Sequence, residues 1–167
     1  MLPDLLAPRL RLVVVGTAAG LCSAARGHYY ACRGNSFWQL LHDSGIVDRP
    51  LGPADDAQLP ALGIGLTDLA KGVAQSHDRG LRYDVPGLVG KLEVVRPGWV
   101  AFHGKTAAGA VARALGQPKP GLGPVDWRVA GAEVFVLPSA SGANRRRDYD
   151  GLPTRLEWWR QLAALLG

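Results

Sequence analysis

The residues of this chain that could do chemistry fall into a few short stretches. One is the turn Gly16-Thr17-Ala18-Ala19-Gly20, directly after the apolar run Leu10 to Val15. Glycine lets a ligand approach bare backbone, and successive N–H groups in such a turn can bind an anion or a base carbonyl. The same turn also reads as a simple strand exit. The following loop carries Ser23, Tyr29 and Tyr30 and closes on Asn35-Ser36-Phe37-Trp38. Asn35 there suits a helix cap, and the two tyrosines suit a core as well as a site. Leu66 to Lys71 contains Asp68, a carboxylate that could orient a water and stabilise a developing cation, or equally cap a helix or join an ion pair. Lys71 and Lys105 are candidate phosphate contacts. Ser139, Ser141 and Asn144 lead into the run Arg145-Arg146-Arg147.

Other chemistries are disfavoured by spacing. Gly104-Lys105-Thr106 has the tail of a phosphate-binding loop, but Trp99 stands where its first glycine must be, and no G-x-G-x-x-G occurs. Ser141 lacks the G-x-S-x-G setting of a hydrolase nucleophile. His28, His42, His77 and His103 are scattered, without metal-ligand spacing. No metal or cofactor is expected.

These stretches need a scaffold, and the pattern around them alternates strands with helices. Strands are expected at Leu10–Val15, Trp99–His103 and Glu133–Leu137, the last preceded by a short one at Trp127–Val129. Helices are expected at Phe37–Ser44, Pro86–Val95, Thr106–Leu115 and Thr154–Leu166, with Gly45, Pro97 and Gly116 as stops. Asp48 to Gly65 reads as loop. The 167 residues suffice for one domain with its own core. The expected fold is therefore a three-layer α/β/α domain with a mostly parallel central sheet. Ligands bind such sheets at the carboxyl ends of the strands, where the Gly16–Asn35 and Pro138–Arg147 loops emerge.

No apolar run approaches the ~20 residues that span a bilayer, and the N-terminus makes a poor signal peptide. Cys22 and Cys32 form no disulfide framework or zinc pattern and are expected as free thiols in a cytoplasmic protein. A monomer is the default. The net charge is +5, yet residues 1–67 hold five basic and five acidic side chains, so the whole excess lies beyond them. Such an excess favours polyanions, DNA among them.

Gly16–Gly20, Tyr30 and Asn35-x-Phe37-Trp38 together resemble motif 1 of the uracil-DNA glycosylase superfamily, nearest its mismatch-specific uracil/thymine branch. Leu137-Pro138-Ser139 and the spacing of Ser139, Ser141 and Asn144 resemble motif 2 as the hypoxanthine branch writes it. The likeness runs from about Leu10 to Leu166. It implies a pocket for a flipped-out base formed by Gly16, Thr17, Ala18, Ser23 and Tyr30, with the Tyr30 ring stacking on the base. It implies phosphate contacts at Lys71, Lys105, Ser139, Ser141, Asn144, Arg145 and Arg146. Arg145 or Arg146 would enter the duplex gap, since Ala143 is too small to fill it. One departure bears on catalysis. The mismatch branch carries a catalytic Asn in the middle of the turn, and here that position is Ala18. The resemblance therefore moves water positioning to Asp68 or to Asn35, whose counterpart in the hypoxanthine branch is implicated in catalysis. The implied activity is hydrolysis of the N-glycosidic bond of uracil in double-stranded DNA, leaving an abasic site. The alternatives are excision of hypoxanthine or another deaminated purine, or a weakly active or inactive protein that binds lesions or abasic sites.

Overall fold

The computed structural model describes residues 2–72, 74, 80–144, 146 and 148–167. His77, Arg145 and Arg147 lie outside them. Among the described residues five strands form one sheet: β1 (Leu12–Gly16), β2 (Ile64–Asp68), β3 (Trp99–His103), β4 (Gly123–Val129) and β5 (Ala132–Leu137). Their order is β2-β1-β3-β5-β4, and only the β4–β5 pair is antiparallel. The α-helices among these residues are α1 (Leu21–Arg26), α2 (Phe37–Asp43), α3 (Val85–Val95), α4 (Lys105–Ala114) and α5 (Arg155–Leu166), and two short 3-10 helices, Pro53–Gln58 and Pro60–Leu62, lie before β2.

The three expected layers are present, and β1 shows why. All five of its residues are buried. Leu12 and Val14 pack with Phe37, Leu41 and Trp159 from α2 and α5. Val13 and Val15 pack with Leu88, Leu92, Ala108 and Val111 from α3 and α4. A parallel strand covered on both faces has no polar side, hence the unbroken run Leu-Val-Val-Val.

Two departures from the sequence expectation bear on the site. Ile64–Asp68 is a strand although it continues a loop-like stretch. Its short run, punctuated by Gly63 and Gly65, has no strong period. It is held by parallel pairing to β1, from Leu12 with Ile64 to Gly16 with Asp68. Its outer edge is covered by an antiparallel bridge from Leu5 to Leu66, which protects it from pairing with another chain. The Gly16–Asn35 loop also contains the helical turn α1, which ends at Gly27 in the left-handed region, φ 75°. A single helical turn leaves too little periodicity to see in sequence.

The cysteine expectation is also corrected. Cys22 and Cys32 form a disulfide, with Cα atoms 5.3 Å apart. The turn at Gly27 folds the loop back and brings them together, which their separation in sequence did not disclose. In an entropic account, tying off a loop of this size contributes roughly 2–3 kcal/mol. Treatment with a thiol reductant should therefore lower the urea midpoint of the wild type and leave that of Cys22→Ser unchanged.

Candidate active site

The carboxyl ends of β1, β2, β3 and β5 open into a cleft of about 850 Å³. It is lined by Gly16 to Gly20, Ser23, Tyr30, Asn35, Asp68, His103, Lys105, Ser139, Ser141, Asn144 and Arg146 among others. Four separated stretches of sequence thus meet at one end of the sheet. Lys71 does not line it.

Asp68 closes β2 directly beside Gly16, its register partner on β1. The turn after β1 and the segment after β2 are sewn together, as Leu69 N–H donates to Gly16 C=O (2.9 Å) and Ala70 N–H to Thr17 C=O (2.7 Å). The Asp68 carboxylate is only 6% exposed. Burial raises its pKa from 3.8 to about 6, with Lys71 opposing the rise. At pH 7 it is mostly an anion, though a destabilised one, and so a competent acceptor of a proton from water.

Lys71 is half-buried and engaged by protein partners. Its Nζ lies 2.8 Å from Asp4 Oδ1 and 3.9 Å from Asp68 Oδ2, and it donates to Tyr29 Oη at 2.9 Å. Burial works to raise the Asp4 carboxyl, but hydrogen bonds from Lys71, Lys91 and Thr67 outweigh it and hold its pKa below the ordinary value. Lys71 therefore places positive charge between Asp4 and Asp68. Asp4 carries no motif signal in sequence, because only the fold brings the N-terminus against β2.

The aromatic floor is built from two tyrosines with different tasks. Tyr29 is core: it is 3% exposed, its hydroxyl donates to Pro3 C=O, and its N–H donates to the buried Asp56 carboxylate. Tyr30 has a left-handed backbone, φ 52°, unusual for a residue with a side chain. Its ring stacks on Phe37 at 4.0 Å and 14° and lies 4.7 Å from the His103 ring. Phe37 and Trp38 anchor this floor, and Trp38 Nε1–H donates to Tyr29 C=O. Ser23 is buried, and its hydroxyl accepts from Ala31 N–H at 3.0 Å. It thereby fixes the return of the Tyr30 loop. The Asn35 amide oxygen accepts from Phe37 N–H at 2.9 Å, so its NH2 end is what it can offer the cleft.

The Pro138–Asn144 loop forms the opposite wall. Ala140 N–H donates to His103 Nε2 (3.0 Å), and Ala140 C=O accepts from Ser36 N–H (2.9 Å). Burial holds the His103 pKa down at about 4, so the ring is neutral at pH 7 and can accept that bond. Ser139 Oγ and Ser141 Oγ accept from the backbone N–H groups of Ser141 and Ala143. Asn144 Nδ2 donates to Ser139 C=O at 2.8 Å. Lys105 reaches Asp150 Oδ1 at 2.7 Å, and Arg146 stands exposed at the rim.

Sequence reasoning missed Arg155, which holds this wall in place. Its Nη1 donates to both Ser139 and Ser141 C=O at 3.0 Å, and its Nη2 reaches Ser36 Oγ at 3.2 Å. The guanidinium joins the two loops that flank the cleft. Arg155→Ala should cost about 1–3 kcal/mol of stability, since two carbonyls lose charge-assisted donors. Arg155→Lys should restore only part of this in thermal unfolding, because one ammonium does not reproduce the fork.

The model of the Uracil DNA glycosylase superfamily matches residues 3–163. The chain belongs to this superfamily. Among solved structures it is similar to the solution NMR structure of "a putative Uracil DNA glycosylase" from Methanosarcina acetivorans. The TM-score is 0.66 at 23% identity, over 99% of this chain and 96% of that one. That likeness bears on the fold. Family membership makes this a DNA glycosylase of the base-repair type. Among the described residues, no helix is long and apolar enough to cross a membrane.

Proposed function

We propose that this glycosylase hydrolyses the N-glycosidic bond of uracil in double-stranded DNA, with Asp68 as the group that orients and activates the water. The observation that carries this is the buried Asp68 carboxylate beside the Gly16 turn, in a cleft with an aromatic floor. Ala18 offers no amide in that turn, so the nearest anionic acceptor for a water is Asp68. Negative charge there also stabilises the cationic sugar that develops as the base departs. Backbone N–H groups of the turn and of Tyr30 meet the base edge, Tyr30 stacks on it, and Asn35 offers its NH2 to the base or the water. Ser139, Ser141, Asn144, Lys105 and Arg146 face the phosphates around the extruded nucleotide. Extrusion itself costs a few kcal/mol, least at a mismatched base.

The test is an excision panel of uracil, hypoxanthine and thymine against each partner base, in single and double strands. Uracil in duplex should give an alkali-labile abasic product in single turnover. A larger yield from hypoxanthine would reassign the substrate to deaminated purines, which the small Ala18 side chain leaves room for. Tight, salt-sensitive duplex binding without product from any base would make the protein a lesion binder.

A further inference from the structure

The Tyr30 hydroxyl is buried and has no hydrogen-bond partner among the described residues. A buried hydroxyl left unmatched is unfavourable. A phenylalanine would provide the same ring for stacking without that cost. The hydroxyl also stands in a particular place. A Cβ built on Gly16 would lie 3.3 Å from Tyr30 Oη and 2.6 Å from Asp68 Oδ1, so the two oxygens are within about 6 Å of each other over the bare Gly16 backbone. The ring itself is held by Phe37 and His103, and its strained backbone, φ 52°, is a conformation retained where the surroundings enforce it. The movable partner is the carboxylate, whose last torsion is broad.

We infer that Tyr30 is a positioning residue for Asp68: the carboxylate turns about its last torsion to accept a hydrogen bond from the Tyr30 hydroxyl, which aims it at the attacking water. This rests on the role proposed above for Asp68 and goes beyond base stacking. A donor to the ionised form favours that form. Burial and the Asp4 charge raise the Asp68 pKa while Lys71 and Lys91 lower it, and a hydrogen bond from the hydroxyl would add to the lowering side. Tyr29, a further titratable neighbour among the described residues, donates its hydroxyl to Pro3 C=O and accepts from Lys71. The Tyr30 phenol stays protonated, since burial first and the Asp68 charge second raise its pKa well above 10.

Tyr30→Phe keeps the ring and removes only the donor. In single-turnover excision of uracil from duplex, the maximal rate should fall on the order of tenfold while the half-saturating enzyme concentration changes less than about twofold. The acidic limb of the rate–pH profile should move up by about one unit. In an Asp68→Asn background the same substitution should cost nothing further, because its effect runs through the carboxylate. A loss confined to binding, an unmoved pH limb, or additive losses in the double variant would each overturn the inference. The Asp68 carboxyl titration, followed by 13C NMR in the DNA-free protein, separates this from the function proposed above. Its midpoint should rise in Tyr30→Phe whether or not uracil is the substrate, and an unchanged midpoint would refute the hydrogen bond even in an active enzyme.

Discussion

Asp68→Asn is expected to slow uracil excision by on the order of 10²–10³-fold and, at the same time, to make the protein harder to unfold above pH 6. The two effects share one cause. Burial lifts the Asp68 pKa from 3.8 to about 6, so between those values the folded protein retains a proton that the unfolded chain has released. Unfolding free energy therefore falls as pH rises through this window, and the deficit persists above it. An amide has no such titration. The gain of Asp68→Asn over the wild type should be small near pH 4 and grow to on the order of 2–3 kcal/mol by pH 7.5, less whatever Lys71 loses with its 3.9 Å partner. Urea unfolding at the two pH values measures the stability, and single-turnover product formation measures the rate. Wild-type activity in Asp68→Asn would move water positioning to Asn35. An unchanged pH dependence of stability would show that the carboxylate is not held in the low-dielectric site described. The wild-type rate should itself decline below about pH 6 as the carboxylate is protonated.

Gly16→Ala should be nearly as damaging to activity, and it should cost stability as well. The added methyl would lie 2.6 Å from Asp68 Oδ1 and 3.3 Å from Tyr30 Oη, well inside contact distance. The backbone cannot yield easily, because Gly16 C=O accepts from Leu69 N–H and the residue pairs with Asp68 at the end of β1. The carboxylate must therefore be displaced from the position argued to hold the water. Overpacking of this kind costs about 1–3 kcal/mol, and the loss of excision should approach that of Asp68→Asn. Gly20→Ala is the control. Its methyl would meet Cys32 Sγ at 3.5 Å, an ordinary contact, in extended backbone at φ −67°. Thermal unfolding and excision of Gly20→Ala should stay close to wild type. Equal effects at both glycines would mean that the turn needs glycine for its own shape and not for the space above Gly16.

That contrast between two glycines of one turn marks how far the sequence could be read. Its local signals were sufficient for the layered α/β architecture, because a buried parallel strand such as Leu12–Val15 must be apolar throughout and α2, α3 and α4 are followed by the stops Gly45, Pro97 and Gly116. The motif-like stretches around Gly16, Asn35 and Ser139 were legible for the same reason: each is contiguous, and each follows a recognisable strand or opens a recognisable helix. Ala18, too, declared in sequence that the turn holds no amide. What could not be read there depended on residues distant in the chain. β2 exists through its pairing with β1 and the cover of Leu5. The Cys22–Cys32 bond depends on the turn at Gly27. Lys71 belongs to Asp4, His103 accepts from Ala140, and Arg155 ties Ser36 to Ser139. Tertiary structure alone decided that Asp68 lies over Gly16 beside Tyr30, with a raised pKa, because burial and charge at a point are set by every segment that converges on it.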